Sequence, residues 1–190
     1  MIPDDEFITH KNVPGPTKEE IRCIVMCKSK VSKNDTVVDI GCGTGGLTLE
    51  FAKRSRLVYA VDRNIDALTT TENNLKKHNM DKKVQLIHGD AIDALKNIET
   101  IDILMIGGSG GDLPLLIEEG YKKIKGNGKI IVTSILLETP VEAIKTMKKL
   151  KMDIDVVDVS ISKGHILERG TMMLARNPIT IVTAKKTVQG

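Results

Sequence analysis

The stretch Thr36-Val-Val-Asp-Ile-Gly-Cys-Gly-Thr-Gly-Gly46 decides how this chain folds. Its first five residues, Thr36 to Ile40, are β-branched and apolar apart from Asp39, the composition of a strand covered on both faces. The glycine-rich turn that follows opens a helix expected over Thr44 to Arg54. Glycine has no Cβ, so a strand feeding such a turn lets backbone N–H groups and a helix N-terminus come close to a ligand. The glycine spacing alone leaves that ligand open.

Outward from this stretch, strands alternate with helices. Pro14-Gly15-Pro16 precedes Thr17-x-x-Glu20, a capping-box pattern, and predicts a first helix from Thr17 to Ser29. Strands are expected at Thr36–Ile40, Leu57–Val61, Val84–His88, Ile101–Ile106 and Lys129–Ser134. Helices are expected at Ile65–His78, Ile92–Asn97, Asp112–Ile124 and Thr139–Leu150, with Gly126-Asn-Gly128 as the turn into the fifth strand. Short strands, mostly apolar and separated by helix-length segments, describe a parallel sheet with helices on both faces. Ile154–Ile161 and Ile179–Ala184 have no helix between them and predict an antiparallel pair at one edge. The expected fold is therefore α/β: a doubly wound, mostly parallel seven-stranded sheet with a C-terminal antiparallel edge hairpin. The stretch Lys163–Pro178 reads as irregular, and its Met, Leu and Ile content suits a cover over a pocket or an interface. At 190 residues the chain suits a single domain, 1–190, able to bury about 70% of its unfolded surface.

Composition narrows the partners. A formal charge of +3 agrees with an acidic small molecule but is too weak to argue for nucleic acid, and 2% aromatic residues supply no base-stacking platform. The acidic start Met1-Ile-Pro-Asp-Asp-Glu6 is unlike a signal peptide, and no apolar run reaches membrane-span length. Cys23, Cys27 and Cys42 form no C-x-x-C pair and no acid or His completes a metal set around them. A cytoplasmic protein with reduced thiols, no bound metal and no membrane or nucleic-acid partner is expected.

The strand ends test the ligand, because doubly wound sheets bind beyond the carboxyl ends of their strands. Asp62, about twenty residues after the first glycine, is placed to accept both ribose hydroxyls, a feature shared by nicotinamide enzymes and methyltransferases. Its alternative is a solvated acid or a helix cap. Gly89-Asp90-Ala91 puts an acid and a small residue where many class I methyltransferases hold adenine, although Asp90 can also simply cap the next helix. Asp39 with Gly41-x-Gly43-x-Gly45 resembles motif I of the same enzymes. Asp39, Asp62 and Asp90 at three successive strand ends together point to S-adenosylmethionine. At the fourth strand end, Gly107-Gly-Ser-Gly-Gly111 replaces the Asn/Asp-Pro-Pro-aromatic motif of nucleic-acid amino methyltransferases. Gly107 and Gly108 then form an open floor for a bulky planar substrate, or a loop before a helix.

Most of the chain is similar to a known family, the cobalt-precorrin methyltransferases that act at ring carbon 15 with linked decarboxylation in anaerobic cobalamin biosynthesis. The resemblance rests on Pro14-Gly-Pro-Thr-Lys-Glu-Glu-Ile-Arg22, Asp39–Gly46, Tyr59–Asn64, Gly89–Ala91, Gly107–Gly111, Ile135–Thr139, Arg169–Met173 and Arg176-Asn-Pro178. It implies that Thr17, Gly41, Cys42, Gly43, Thr44, Gly45, Asp62 and Ala91 contact S-adenosylmethionine and that the protein is a homotetramer. It also implies an acidic tetrapyrrole substrate, cobalt-precorrin-6B, converted to cobalt-precorrin-7. A meso carbon of a partly reduced tetrapyrrole is already enamine-like, so no strong base is required. Methylation leaves an iminium-type sink into which loss of carbon dioxide from the acetate at ring carbon 12 can discharge. No residue stands out as an acid or base. Arg169 and Arg176 are candidate clamps for substrate carboxylates, with ordinary surface charge as the alternative. The rival readings are a tRNA adenine-N1 or other class I methyltransferase, a nicotinamide oxidoreductase, and a non-enzymatic S-adenosylmethionine-binding protein.

Overall fold

The computed structural model describes residues 1–108 and 111–187. Five strands, β1 (Thr36–Ile40), β2 (Leu57–Asp62), β3 (Val84–His88), β4 (Ile101–Ile106) and β5 (Ile124–Ser134), run parallel to one another. The helices are α1 (Glu19–Ser29), α2 (Gly46–Arg54), α3 (Ile65–Lys77), α4 (Ala91–Lys96), α5 (Leu113–Lys123) and α6 (Glu138–Lys149). Strands β6 (Asp153–Val159) and β9 (Ile179–Lys185) complete a seven-stranded sheet in the order β3-β2-β1-β4-β5-β9-β6, in which β9 is antiparallel to both neighbours. The order reverses between β1 and β4, which places the switch point beside the glycine turn.

Alternation along the strands sorts the core. Val38, Leu104, Ile130 and Val182 face α5 and α6, whereas Val37, Met105, Ile131 and Ile181 face α1 and α2. A small third cluster joins Leu49 of α2 and Leu75 of α3 to Ile2 and Phe7 of the N-terminal segment. That segment shows no periodicity in sequence, yet it is strapped down by buried polar groups. Asn74 both donates to and accepts from the Ile8 backbone, and it also donates to the Thr44 carbonyl at 2.9 Å. The Arg22 side chain is fully buried, 3.1 Å from Glu50 and 2.6 Å from Asp4, with its Nε donating to the Thr17 carbonyl at 2.7 Å.

Several expected boundaries move, each for a local reason. No capping box forms: α1 starts at Glu19, its cap Lys18 makes no side-chain bond, and the Thr17 carbonyl is taken by Arg22. Helix α2 starts at Gly46 because Gly45 is left-handed and ends the turn. The turn expected at Gly126-Asn-Gly128 is an irregularity inside β5, where left-handed Asn127 shifts the pairing with β4. Lys163–Pro178 is not irregular. It contains an antiparallel hairpin, β7 (Ser162–Leu167) and β8 (Gly170–Ala175), separate from the main sheet and exposed along nearly its whole length. No helix among the described residues is long and apolar enough to cross a membrane.

Replacing Arg22 by Met would leave the Glu50 carboxylate buried with less compensation. The expected loss is about 3–5 kcal/mol of unfolding free energy, read from urea denaturation, whereas a loss below about 1 kcal/mol, the scale of an exposed ion pair, would deny the network its role.

Candidate active site

Three left-handed glycines, Gly41, Gly43 and Gly45, shape the turn after β1. The N–H groups of Gly41 and Cys42 both donate to the Val61 carbonyl, at 2.9 and 3.2 Å, and tie the turn to β2. A Cβ on Gly41 would lie 2.9 Å from the Gly108 nitrogen, so here the turn and the end of β4 pack backbone against backbone. The Gly107 N–H donates to the Ile40 carbonyl at 2.9 Å and closes the same contact.

Asp62, at the end of β2, points back at this turn. One oxygen accepts from the Gly43 N–H and the other from the Asn64 N–H, both at 2.9 Å. Each oxygen keeps a lone pair for a ligand, and the carboxylate is already oriented. Asp39 lies beneath, 2% exposed, and accepts from the Thr48 hydroxyl at 2.6 Å. Burial raises its pKa to about 6, opposed by the Thr48 bond and reinforced by the charge of Asp62. Burial also pushes the Cys42 thiol above its ordinary value, which leaves it a poor nucleophile.

These groups surround connected cavities. One of about 420 Å³ is lined by Thr17, Asp39, Gly41, Gly43, Asp62 and Gly108, among others. A second, of about 280 Å³, shares Gly41, Asp62, Asn64 and Gly108 with it and reaches Gly89 and Ala91. A third, of about 580 Å³, runs from Thr17, Gly107 and Gly108 to Ile135, Leu136 and Ile179. Ile135 and Leu136, at 62% and 60% exposure, make its outer edge an open apolar shelf.

The expected site residues are distributed as follows. Thr17, Gly41, Cys42, Gly43, Thr44, Asp62, Ala91, Gly107 and Gly108 all line the connected cavities. Gly45 faces the protein instead, its missing Cβ 3.0 Å from Leu49 and Thr71. The Asp90 side chain caps α4 through Ile92 and Asp93 and pairs with Arg63, while its neighbours Gly89 and Ala91 line the cavity. Arg63 holds the Asp90 carboxyl below the usual carboxylate range. Arg169 sits in the turn of the exposed hairpin and lines none of these cavities. Arg176 lies at the hairpin's base, 2.8 Å from Glu20. Ser109 and Gly110 of the glycine floor fall outside the described residues. Sequence reasoning passed over Asn64, which lines two cavities and caps α3 by accepting from Asp66. An Asn just before a helical run was the available signal.

A family model described as "Precorrin methyltransferase domain" matches residues 10–186. The chain belongs to the precorrin methyltransferase family. A relative in Methanothermobacter thermautotrophicus, named a probable cobalt-precorrin-6B C(15)-methyltransferase (decarboxylating), is 50% identical over 96% of this chain and 95% of its own length. The crystal structure of precorrin 8W decarboxylase from Methanobacterium thermoautotrophicum matches with a TM-score of 0.95 at 50% identity, covering 97% of this chain and 99% of that one. A precorrin-6y C5,15-methyltransferase from Geobacter metallireducens matches with a TM-score of 0.90 at 29% identity, covering 97% and 96%.

Methyltransferase family and fold imply use of S-adenosylmethionine, and the cavity fits such a group. A Cβ built on Gly89 or Gly108 meets no atom within 4 Å, so both glycines open onto free space rather than onto protein. Carboxylates at Asp39 and Asp62 suit a cationic, ribose-bearing ligand. This precorrin methyltransferase family member should also show the cost of burying Asp39. Its folded pKa of about 6 exceeds the unfolded value near 3.9, so the native state holds the proton more tightly. Stability should fall as pH rises from about 4 to about 6 and then level off. Asp39→Asn should flatten that limb in denaturation curves measured across the range, and an unchanged slope would remove Asp39 as its source.

Proposed function

We propose that this protein transfers a methyl group from S-adenosylmethionine to carbon 15 of cobalt-precorrin-6B, with decarboxylation of the acetate at ring carbon 12, in cobalamin biosynthesis. The observation that carries the reading is the meeting of Gly41, Asp62, Gly89, Ala91 and Gly108 around continuous space that opens onto an apolar shelf. The relative from Methanothermobacter thermautotrophicus supports the choice of reaction.

When bound, S-adenosylmethionine supplies a methyl group activated by a sulfonium. Asp62, held by two backbone N–H groups, accepts the ribose hydroxyls without losing further rotamer freedom. Asp39 offers negative charge beneath the cofactor, and Ala91 leaves room for the adenine edge. Thr17, Cys42, Gly43 and Thr44 wall the same space, Gly45 holds the turn, and Asp90 sets the start of α4. Gly107 and Gly108 present no side chain, so a tetrapyrrole ring can approach the cofactor closely. Alignment of the two reactants and exclusion of water supply the acceleration, since the carbon nucleophile needs no strong base.

The hairpin gives a reason for assembly. Ile166, Met172, Met173 and Leu174 are 83%, 44%, 61% and 48% exposed, an apolar ribbon that a monomer leaves in water. We assign it to contacts between copies in a cytoplasmic homotetramer of single-domain chains.

Mass spectrometry of cobalt-precorrin-6B incubated with protein and S-adenosylmethionine should show the gain of one methyl and the loss of carbon dioxide, and no mass change would refute the activity. Asp62→Ala should weaken calorimetric S-adenosylmethionine binding at least about tenfold, from two charge-assisted bonds of roughly 1.5–3 kcal/mol each. Gly108→Leu, whose Cβ would meet no atom within 4 Å, should keep the melting temperature and lose turnover. Retained turnover in that variant would move the reaction away from the glycine floor.

A further inference from the structure

Where α1 faces the base of the hairpin there is a further pocket of about 320 Å³. Ile21, Ile135, Ile161 and Ile179 form its apolar wall, and Lys18 and Arg176 its rim. It shares Lys18, Ile21, Ile135 and Ile179 with the large cavity that reaches Gly107 and Gly108. A ligand lying over the glycine floor can therefore extend an arm into it.

Arg176 is anchored by its backbone, whose N–H donates to the Ile161 carbonyl at 2.9 Å. Its Nη1 donates to Glu20 Oε2 at 2.8 Å, and the other Glu20 oxygen lies 3.5 Å from Lys163. The Arg176 and Glu20 side chains are 27% and 34% exposed, so the pair is neither sealed in the core nor free in solvent. Lys163 and Arg176 set two positive charges against this single carboxylate, while Lys18 on the pocket wall lies 3.9 Å from Asp4. A guanidinium binds a carboxylate best through two parallel N–H bonds, and two carboxylates competing for one guanidinium repel each other.

From this geometry we propose that the pocket anchors one carboxylate arm of the ligand and that Glu20 stands in for that arm until it arrives. Glu20 holds Arg176 and Lys163 in place, then yields them to the incoming carboxylate. A neutral arm cannot replace Glu20 at the guanidinium, so the internal carboxylate discriminates against uncharged ligands of the same shape. This inference rests on the acidic-tetrapyrrole reading above and concerns binding alone.

The test is a fluorescence titration of the cofactor-free protein with uroporphyrin, an octacarboxylate porphyrin, beside a porphyrin bearing neutral glycol arms. Glu20→Gln should tighten uroporphyrin binding about threefold to tenfold, the scale of removing one partly exposed like charge. Arg176→Gln should weaken it by a similar factor, and the double variant should bind like Arg176→Gln alone. The neutral porphyrin should not respond to Glu20→Gln. Glu20→Ser, which removes the charge with a different side chain, should repeat the gain and separates the effect from any folding defect of the first variant. The proposal fails if wild-type protein does not bind uroporphyrin. It fails equally if Glu20→Gln leaves affinity unchanged or lowers it, if both porphyrins respond alike, or if the double variant keeps the gain. Loss of methyl transfer with this binding pattern intact would count against the catalytic reading and leave the subsite standing.

Discussion

A guanidinium with no access to solvent governs how this molecule closes. Arg22 reaches Glu50 on α2, Asp4 on the N-terminal segment and the carbonyl of Thr17, with the Phe7 ring 4.8 Å below it. Taking that charge out of water is costly unless every partner is in place. Glu50 is equally committed, accepting from the Ile2 N–H at 2.7 Å and pairing with Arg54 at 2.5 Å. The N-terminal segment, the start of α1 and the body of α2 are therefore satisfied together or not at all. Because Thr17 and Pro16 form one wall of the cavity, the same cluster that closes the fold also sets the width of the site.

Inside that wall the chain concentrates negative charge and backbone amides. Burial raises the cost of ionising Asp39, and the nearby Asp62 carboxylate adds to it. A cationic ligand placed above Asp39 would favour its charged form. Hydrogen bonds from Gly43 and Asn64 keep the Asp62 carboxylate from turning away to solvent. The glycines play the complementary part. Gly41 permits the backbone contact that joins β1 to β4, and Gly89 and Gly108 leave space where other residues would fill it.

The parts legible in sequence were those written in local pattern. β1, β3 and β4 begin and end at the expected residues, and for the central β1 and β4 the reason is that a strand covered on both faces leaves little freedom in composition. Gly41, Asp62 and Ala91 could be placed because strand ends in this topology converge. What escaped were features decided by distant partners. Arg22, Glu50 and Asn74 resemble surface residues until their partners 18 to 66 positions away are seen. The hairpin of β7 and β8 was hidden because its exposed Met and Leu residues mimic a buried, irregular cover. Asp90 illustrates a third limit: one motif serves both a helix cap, through Asp90, and a cavity wall, through Gly89 and Ala91, and spacing cannot separate the two.

Strand β9 sits between β5 and β6, although Ile179–Lys185 is the last strand of the described chain to be synthesised. During translation the inner edge of β5 consequently stays unpaired after all five parallel strands have emerged, and β6 has no neighbour to receive it. An open edge of that kind invites pairing with another nascent chain. The order of synthesis thus makes the emergence of β9, rather than formation of the glycine turn, the moment when this sheet becomes safe from aggregation.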